Sequence, residues 1–490
     1  MSDGPPNFSS IVTIVELAQA GQPEPFTQIT ITALPDNVLL EIFDFYLDAD
    51  RWVLPITDGK YPDLWHALVH VCRRWRCVVS ASPRRLRLHL LCTEKRPVKR
   101  NIWPELPIIM WATIPTSGRS RSQGVNIIIA ALRQQCNRVC QMYIKDIPNS
   151  LLKKFAAIKT PFPALTHLAL QSSALALPYS FLEGSAPRLQ SLRFQGIPFR
   201  ALGNLLLSSC DLSELILNKI PHSSYISPDA LVSSLSGLTR LRVLLLAFQS
   251  PRSRAARESR APPSLTRVVL PALVRLRFKG DSEYLEDILS RTETPPFVNV
   301  MIKFFNQMVF DTPLLHNLMN RAQTFKPPHR AEITLSSDSV SFALGQTKFQ
   351  VLLGLRISCK PSDWQLSSLA QVIGSSIPPH STLEHLELRE DLYRPQRWQD
   401  DIENAQWLEI LRPFTSVKHL ILCGELVRLV APVLGELNGE RVAEVLPALQ
   451  NLFVEDFRLP EPIHWLKEIQ QFRTARLISG RRVILRYPDC

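Results

Sequence analysis

Glycine is scarce in this chain, at 17 of 490 residues, while proline reaches 39. That balance argues against glycine-rich phosphate cradles and suits short, stiff connections between repeated elements. No glycine stands in Gly-x-x-x-x-Gly-Lys, Gly-x-Gly-x-x-Gly or Gly-x-Ser-x-Gly spacing, so the usual nucleotide loops and the nucleophile elbow are missing. Long apolar runs are lacking too: nothing approaches the roughly 18 residues of a membrane-spanning helix. The early apolar stretch Ile11 to Ala18 is short, carries Glu16 and follows no basic segment, unlike a signal peptide. The expectation is a soluble intracellular protein, cytoplasmic or nuclear, with no membrane partner.

Cysteine chemistry is equally thin. The nine cysteines are dispersed, and Cys72/Cys77 and Cys136/Cys140 lack paired zinc-finger spacing. Most lie in apolar periodic segments, which fits free thiols acting as small hydrophobes in a reducing compartment. His66 and His70 are one helical turn apart, as in zinc proteases, but Ala67 stands where the general-base glutamate is required. The carboxylate pairs Glu390/Asp391 and Asp400/Asp401 fall in polar connections. No catalytic residue, metal or cofactor is expected.

What the chain does have is apolar content, at 45% against 20% charged residues, enough for a sizeable core. Its net charge of +12 is uneven. Twelve Lys/Arg fall between Arg73 and Arg121, opposed only by Glu94 and Glu105, and such a basic window attracts an acidic partner. Leu34-Pro35-Asp36 opens a helical pattern, with proline and an acidic residue favourable at a first turn. Val38, Leu39, Ile42, Phe43 and Tyr46 follow at helical spacing. After a polar break, a second helix is expected from Pro62 to just before Ser82-Pro83, with Trp65, Leu68, Val69, Cys72, Trp75 and Val79 on one face. Two such short helices need each other and a partner to cover their apolar stripes.

The ordered elements Leu34-Pro35, Ile42-Phe43 and Val71-Cys72-Arg73-Arg74-Trp75-Arg76 resemble the F-box. The following Ser82-Pro83-Arg84-Arg85-Leu86, Leu90-Leu91-Cys92-Thr93 and Ile102-Trp103-Pro104 are similar to the extension in its large mushroom-type fungal branch. About a dozen residues near Asp48 to Tyr61 are extra to the pattern. The resemblance implies docking on an acidic Skp-family adaptor and, through it, on a cullin-RING ubiquitin ligase. The adaptor contacts it implies are Leu34, Pro35, Leu39, Ile42, Phe43, Leu68, Val69, Cys72, Trp75 and Arg76, with Arg73 and Arg74 also at the polar rim.

From residue 163 a phrase recurs: leucine, two variable residues, leucine, one variable residue, an apolar residue. It begins at Leu165, Leu189, Leu212, Leu241 and Leu273, then at Leu352, Leu383, Val417 and Leu449, with starts 23 to 34 residues apart in each group. The 79-residue gap after Leu273 has room for two degenerate copies, near Val300-Ile302 and Ile333-Leu335. Alternation predicts strands, and the intervals predict helices over 201–210, 228–235, 283–289, 314–322, 364–373, 407–411 and 441–446. A strand and a helix at this period is the leucine-rich repeat signature. The fold class read from the sequence is α/β: a short N-terminal helical F-box-type module, then an irregular leucine-rich-repeat solenoid, an arc of parallel strands backed by helices. The expected divisions are a disordered tail over 1–29, the helical module over 30–92, a basic connector with the first degenerate repeats over 93–160, and the repeat domain over 161–490. A basic stretch from Ser250 to Pro263 reads as a mobile loop.

In such a solenoid the variable strand positions line the binding face. His167, Arg193, Ile216, Leu245, Arg275, Arg277, His385, Ile421 and Phe453 are the candidates for holding a target protein. The function implied is the non-catalytic substrate-recognition subunit of a Skp-cullin-F-box ubiquitin ligase. A leucine-rich interaction scaffold with a degenerate F-box and no ligase role is the alternative. Nucleic-acid binding through the basic window is disfavoured, because it lacks interleaved exposed aromatics and a reading helix.

Overall fold

The computed structural model describes residues 31–48, 64–97, 105–115, 119–156, 162–172, 177, 181–184, 186–198, 202–251, 267–295, 299–307, 309–323, 327–347, 350–359, 362–376, 382–391, 393, 404–455 and 463–487. The expected tail, the inter-helix insertion and all but Ser250 and Pro251 of the expected basic loop lie outside the described residues. The chain divides into two compact units, Met1–Leu88 and His89–Cys490.

The first unit is helical: α1 Asp36–Asp48, α2 Leu64–Val71 and α3 Arg73–Ala81. The Pro35 carbonyl accepts from the amides of Val38 and Leu39, starting α1, and Asp36 sits in the first turn, where its charge meets the helix dipole. The single second helix expected here is in fact two. Cys72 adopts an extended backbone and its sulfur accepts from the Trp75 amide at 3.4 Å, acting as an N-cap for α3. The Arg76 guanidinium donates to the Val69 carbonyl at 3.0 Å, in the last turn of α2. The capped break therefore replaces lost helical hydrogen bonds at both ends.

The second unit is a mixed α/β structure whose large sheet is mostly parallel. Its strands begin with β1 Leu90–Cys92, β2 Ile108–Thr113, β3 Val139–Lys145, β4 His167–Gln171, β5 Ser191–Gln195, β6 Glu214–Ile220 and β7 Val243–Phe248. A two-residue strand β8 Val268–Val269 pairs aside with β10 Thr292–Glu293, while β9 Arg275–Gly280 and β11 Asn299–Phe304 continue the main sheet. Then come β12 Arg330–Ser336, β13 Ser339–Thr347, β14 Gln350–Ser358, β15 His385–Glu390, β16 His419–Cys423, β17 Asn451–Glu455 and β18 Ile484–Arg486. The strands β2 and β3 lie in the region expected to be a connector with degenerate repeats, and β1 lies at the end of the stretch expected to be the helical module.

Six of the turns into strands share one local arrangement. The amides of Leu165, Leu189, Leu212, Leu241, Leu273 and Leu449 each donate to the carbonyl three residues earlier. These leucines are buried, as are the two inward apolar positions of each following strand. Full burial of one such side chain is worth about 1.5–3 kcal/mol, which makes the phrase the main stabilising unit of the sheet.

Chain-order stacking fails at one place. The sheet order runs β9-β11-β14-β13-β12-β15, so β12, β13 and β14 form an antiparallel meander inserted in reverse. The outer arms of the meander pair in parallel with their neighbours, β14 on β11 and β12 on β15. Strands do occur at both expected degenerate copies, but the Leu352 phrase is one arm of this meander, and Leu352 is only half-buried. Ser336, Asp338 and Ser339 tie the first turn, with both serine hydroxyls donating to the Asp338 carboxylate at 3.0–3.1 Å.

Helices connect most of the strands: α4 Arg119–Gln135, α5 Asn149–Ala156, α6 Leu202–Ser208, α7 Pro228–Leu235, α8 Ser282–Arg291, α9 Pro313–Gln323, α10 Ser362–Ser376, α11 Asn404–Leu411, α12 Leu426–Gly435 and α13 Ile463–Ile478. From α6 to α13 each packs against the next in chain order. The helix expected at 441–446 is a 3-10 segment, Gly439–Ala443, followed by turns.

Candidate functional site

Each unit presents one surface of interest. In the helical unit, α1 is apolar on two sides. Leu39, Leu40 and Phe43 point inward, and the Phe43 ring meets Trp75 edge-on at 4.7 Å. Val38, Ile42, Phe45 and Tyr46 lie on the other side, spaced by three or four residues, and all are exposed, Phe45 to 80%. Val71 and Cys72, at the end of α2, are exposed as well. The Arg74 guanidinium donates to the Asp36 carboxylate at 2.7 Å and to the Leu34 carbonyl, pinning the start of α1 to α3. Arg85 pairs with Glu41. Such exposed pairs contribute about 0–1 kcal/mol and serve mainly to set orientation.

The adaptor-contact set implied by the F-box resemblance is thus split. Leu39, Phe43 and Leu68 are buried inside the unit, Leu34, Val69 and Trp75 are half-buried, and Pro35, Ile42, Cys72 and Arg76 are exposed. Phe45 was missed by the sequence reading. Its spacing of i+7 from Val38 and i+3 from Ile42 was the available signal.

In the sheet unit, strand pairing brings the variable positions into cross-strand rows. One row runs Ala169, Arg193, Ile216, Leu245, Arg277 on β4, β5, β6, β7 and β9. A second holds His167, Ser191, Glu214, Val243 and Arg275 on the same strands. Farther along, Glu387, Ile421, Phe453 and Arg486 are neighbours, as are His385, His419 and Asn451. All these positions alternate with the buried leucines and so face away from the core.

Charges on this face are largely matched. Arg193 pairs with Glu214 at 2.8 Å, Arg330 with Glu387, Arg389 with Glu332 at 3.3 Å, and Lys418 with Glu384 at 2.7 Å. The His385 and His419 rings stack at 4.5 Å. Partial burial is the main cause that lowers the pKa of both; the His419 ring and Arg330 push His385 the same way, Lys418 and Arg486 do so for His419, and the Glu384 carboxylate opposes the shift in each. His167 is lowered by burial and by Arg193. These imidazoles favour the neutral form, in which they offer hydrogen bonds without charge.

Among the described residues no group of three or more His, Cys, Asp or Glu is set to hold a metal ion. The His66 ring lies against Trp65 at 3.9 Å, and His70 is exposed. Burial pushes the Cys140 thiol up to about 11, away from the reactive thiolate. A cleft of about 270 Å³ on the helical side has neither histidine nor cysteine in its wall. Among the described residues no helix is long and apolar enough to cross a membrane. No protein-family model matches the chain, and no curated protein matches it as a relative.

Proposed function

We propose that this chain is a non-catalytic substrate receptor: an F-box-type module docks on a Skp-family adaptor, and a leucine-rich sheet holds a target protein. The carrying observation is the outer stripe of α1, where Val38, Ile42, Phe45 and Tyr46 are exposed while Leu39, Leu40 and Phe43 on the other side are buried. Exposed contiguous apolar side chains of this kind mark interaction sites, and large rings ringed by charge dominate interface energies. Arg76, exposed beside Cys72 at the junction of α2 and α3, supplies a polar edge. The strand face, with Ile216, Leu245, Ile421 and Phe453 among ion pairs, suits a protein target. Ubiquitin transfer would then follow from proximity, since tethering raises the effective concentration of target lysines.

The test is co-purification of the full chain with a Skp-family adaptor. Ile42→Asp and Phe45→Asp alter side chains that the fold leaves exposed, so they report on docking rather than folding. Each is expected to weaken adaptor binding by about 2–4 kcal/mol, at least thirtyfold. Substitution of Pro35 or Trp75 is expected to abolish it. An adaptor retained equally by wild type and both aspartate variants would remove the ligase role and leave the scaffold reading.

A further inference from the structure

Many charges on the face of the sheet are matched, but β9 gathers cations without acids beside them. There Arg275, Arg277 and Lys279 occupy the three outward positions of a single strand. Their partners on β7 are Val243, Leu245 and Ala247, and those on β11 are Asn299, Met301 and Lys303. No acidic residue flanks the strand at these positions on either side. Lys303 in turn pairs across with Arg356 on β14, so one row reads Lys279, Lys303, Arg356. Asp338 is engaged by Arg356 at 3.3 Å and by two serines. Arg275 and Arg277 are exposed and have no ion-pair partner among the described residues.

Lys279 and Met301 show how these rows are packed. Lys279 lies over the Phe305 ring at 5.2 Å, and partial burial together with the Lys219 ammonium pushes its pKa down. Beside Arg277, the row passes through Met301 to Gly354, where a Cβ would fall 2.6 Å from the Met301 sulfur. Gly354 therefore leaves room for the Met301 thioether, which occupies the space a side chain would take there.

We infer that the face of β9, β11 and β14 binds an extended acidic segment of a target protein, with carboxylates at alternate positions meeting Arg275, Arg277 and Lys279. The geometry carries the match. Alternate side chains on a strand are about 6.5–7 Å apart, and an extended peptide presents its own alternate side chains at the same interval. A nucleic acid would also bring negative charge, but base stacking needs rings. The strand beside these cations offers Val243, Leu245 and Ala247, aliphatic surface that suits the apolar residues of a polypeptide. Partner charge satisfies three adjacent cations that the fold leaves without acids.

This inference rests on the reading of the sheet as a target-binding surface, and its test is independent of adaptor docking. Fluorescence anisotropy of the full chain would use a labelled nine-residue peptide of glutamate alternating with threonine. A peptide of the same composition with its glutamates contiguous, and a labelled poly(dT) strand, are the comparisons. The alternating peptide is expected to bind more tightly than either, in a salt-sensitive way. Arg275→Glu/Arg277→Glu is expected to weaken it about tenfold or more. Arg119→Glu/Arg133→Glu, an equal charge change at exposed positions of α4, is expected to leave it unchanged. Circular dichroism and adaptor co-purification should match wild type in both double variants, which separates a failure here from a failure of the F-box reading. Absence of alternating-peptide binding, binding indifferent to the Arg275/Arg277 reversal, or tighter poly(dT) binding through the same arginines would each overturn the inference.

Discussion

Arg476 is the most exacting side chain in the described structure. It is fully buried on α13 and pairs with no carboxylate among the described residues. Its Nη2 donates to the carbonyls of Val445 at 2.6 Å and Leu446 at 2.8 Å. Leu446 has a φ of +49°, a left-handed turn that costs a non-glycine residue energy and aims these carbonyls at one point. The guanidinium also lies over Phe472 at 5.1 Å. Burial and Arg481 lower its pKa to about 10, which still leaves it cationic at neutral pH. A planar fork can serve several carbonyls together, whereas a single ammonium reaches fewer of them. Arg476→Leu is therefore expected to destabilise the sheet unit by about 3 kcal/mol, read from the urea midpoint, with Arg476→Lys recovering only part of the loss. An unchanged midpoint in Arg476→Leu would mean that the Val445-Leu446 turn holds without it.

Between elements, Glu286 performs a comparable task. It is buried on α8, and its carboxylate oxygens accept from the Leu314 and Leu315 amides at 2.8 and 2.9 Å, capping the start of α9. Burial raises its pKa while the two amide hydrogen bonds oppose the rise. Because Glu286 and its amide donors belong to different helices, Glu286→Ala is expected to cost about 1–2 kcal/mol and to speed amide exchange at the first turn of α9. Slow exchange there in the variant would show that the cap is dispensable. The leucine phrases were legible in the sequence because strand alternation and burial go together, and the same periodicity placed Ile421 beside Phe453. The reversed meander was not legible. Val340, Phe342 and Leu344 alternate as any strand would, and nothing in that alternation specifies which neighbour pairs or in which direction. Helix α12 escaped because Leu426, Val427, Val430, Ala431, Val433 and Leu434 are all buried, which erases the helical period, and Pro432 lies inside it. The break at Cys72 escaped for the opposite reason: apolar spacing continues across it while the cap is made by a sulfur. Lys279 and Lys303 stand late in their strands, after the last apolar position of the pattern, while Arg356 is the variable position of the Leu352 phrase, so only the register assembled the three.

At the scale of the whole chain, the two units differ sharply in how much they bury. The sheet unit has buried leucines on nearly every strand, while the described core of the helical unit consists of Leu39, Leu40, Phe43, Trp65, Leu68, Val78, Val79, Leu86 and Leu88. A core this small supports only a few kcal/mol by itself. The expected consequence is a gradient of protection: amides of α1 to α3 exchange faster than those of β4 to β7 when the chain is alone. A partner that binds only the folded module adds stability as its concentration exceeds its dissociation constant, by about 2.7 kcal/mol at a hundredfold excess. Hydrogen exchange with and without a Skp-family adaptor can follow both units in one sample. The adaptor should slow α1 to α3 by about a hundredfold and leave β4 to β7 unchanged, because the gain belongs to the unit whose apolar stripe becomes covered. Helices already protected to the level of the sheet in the free chain would mean that the module is complete without a partner, and the exposed Ile42 and Phe45 would then need another explanation.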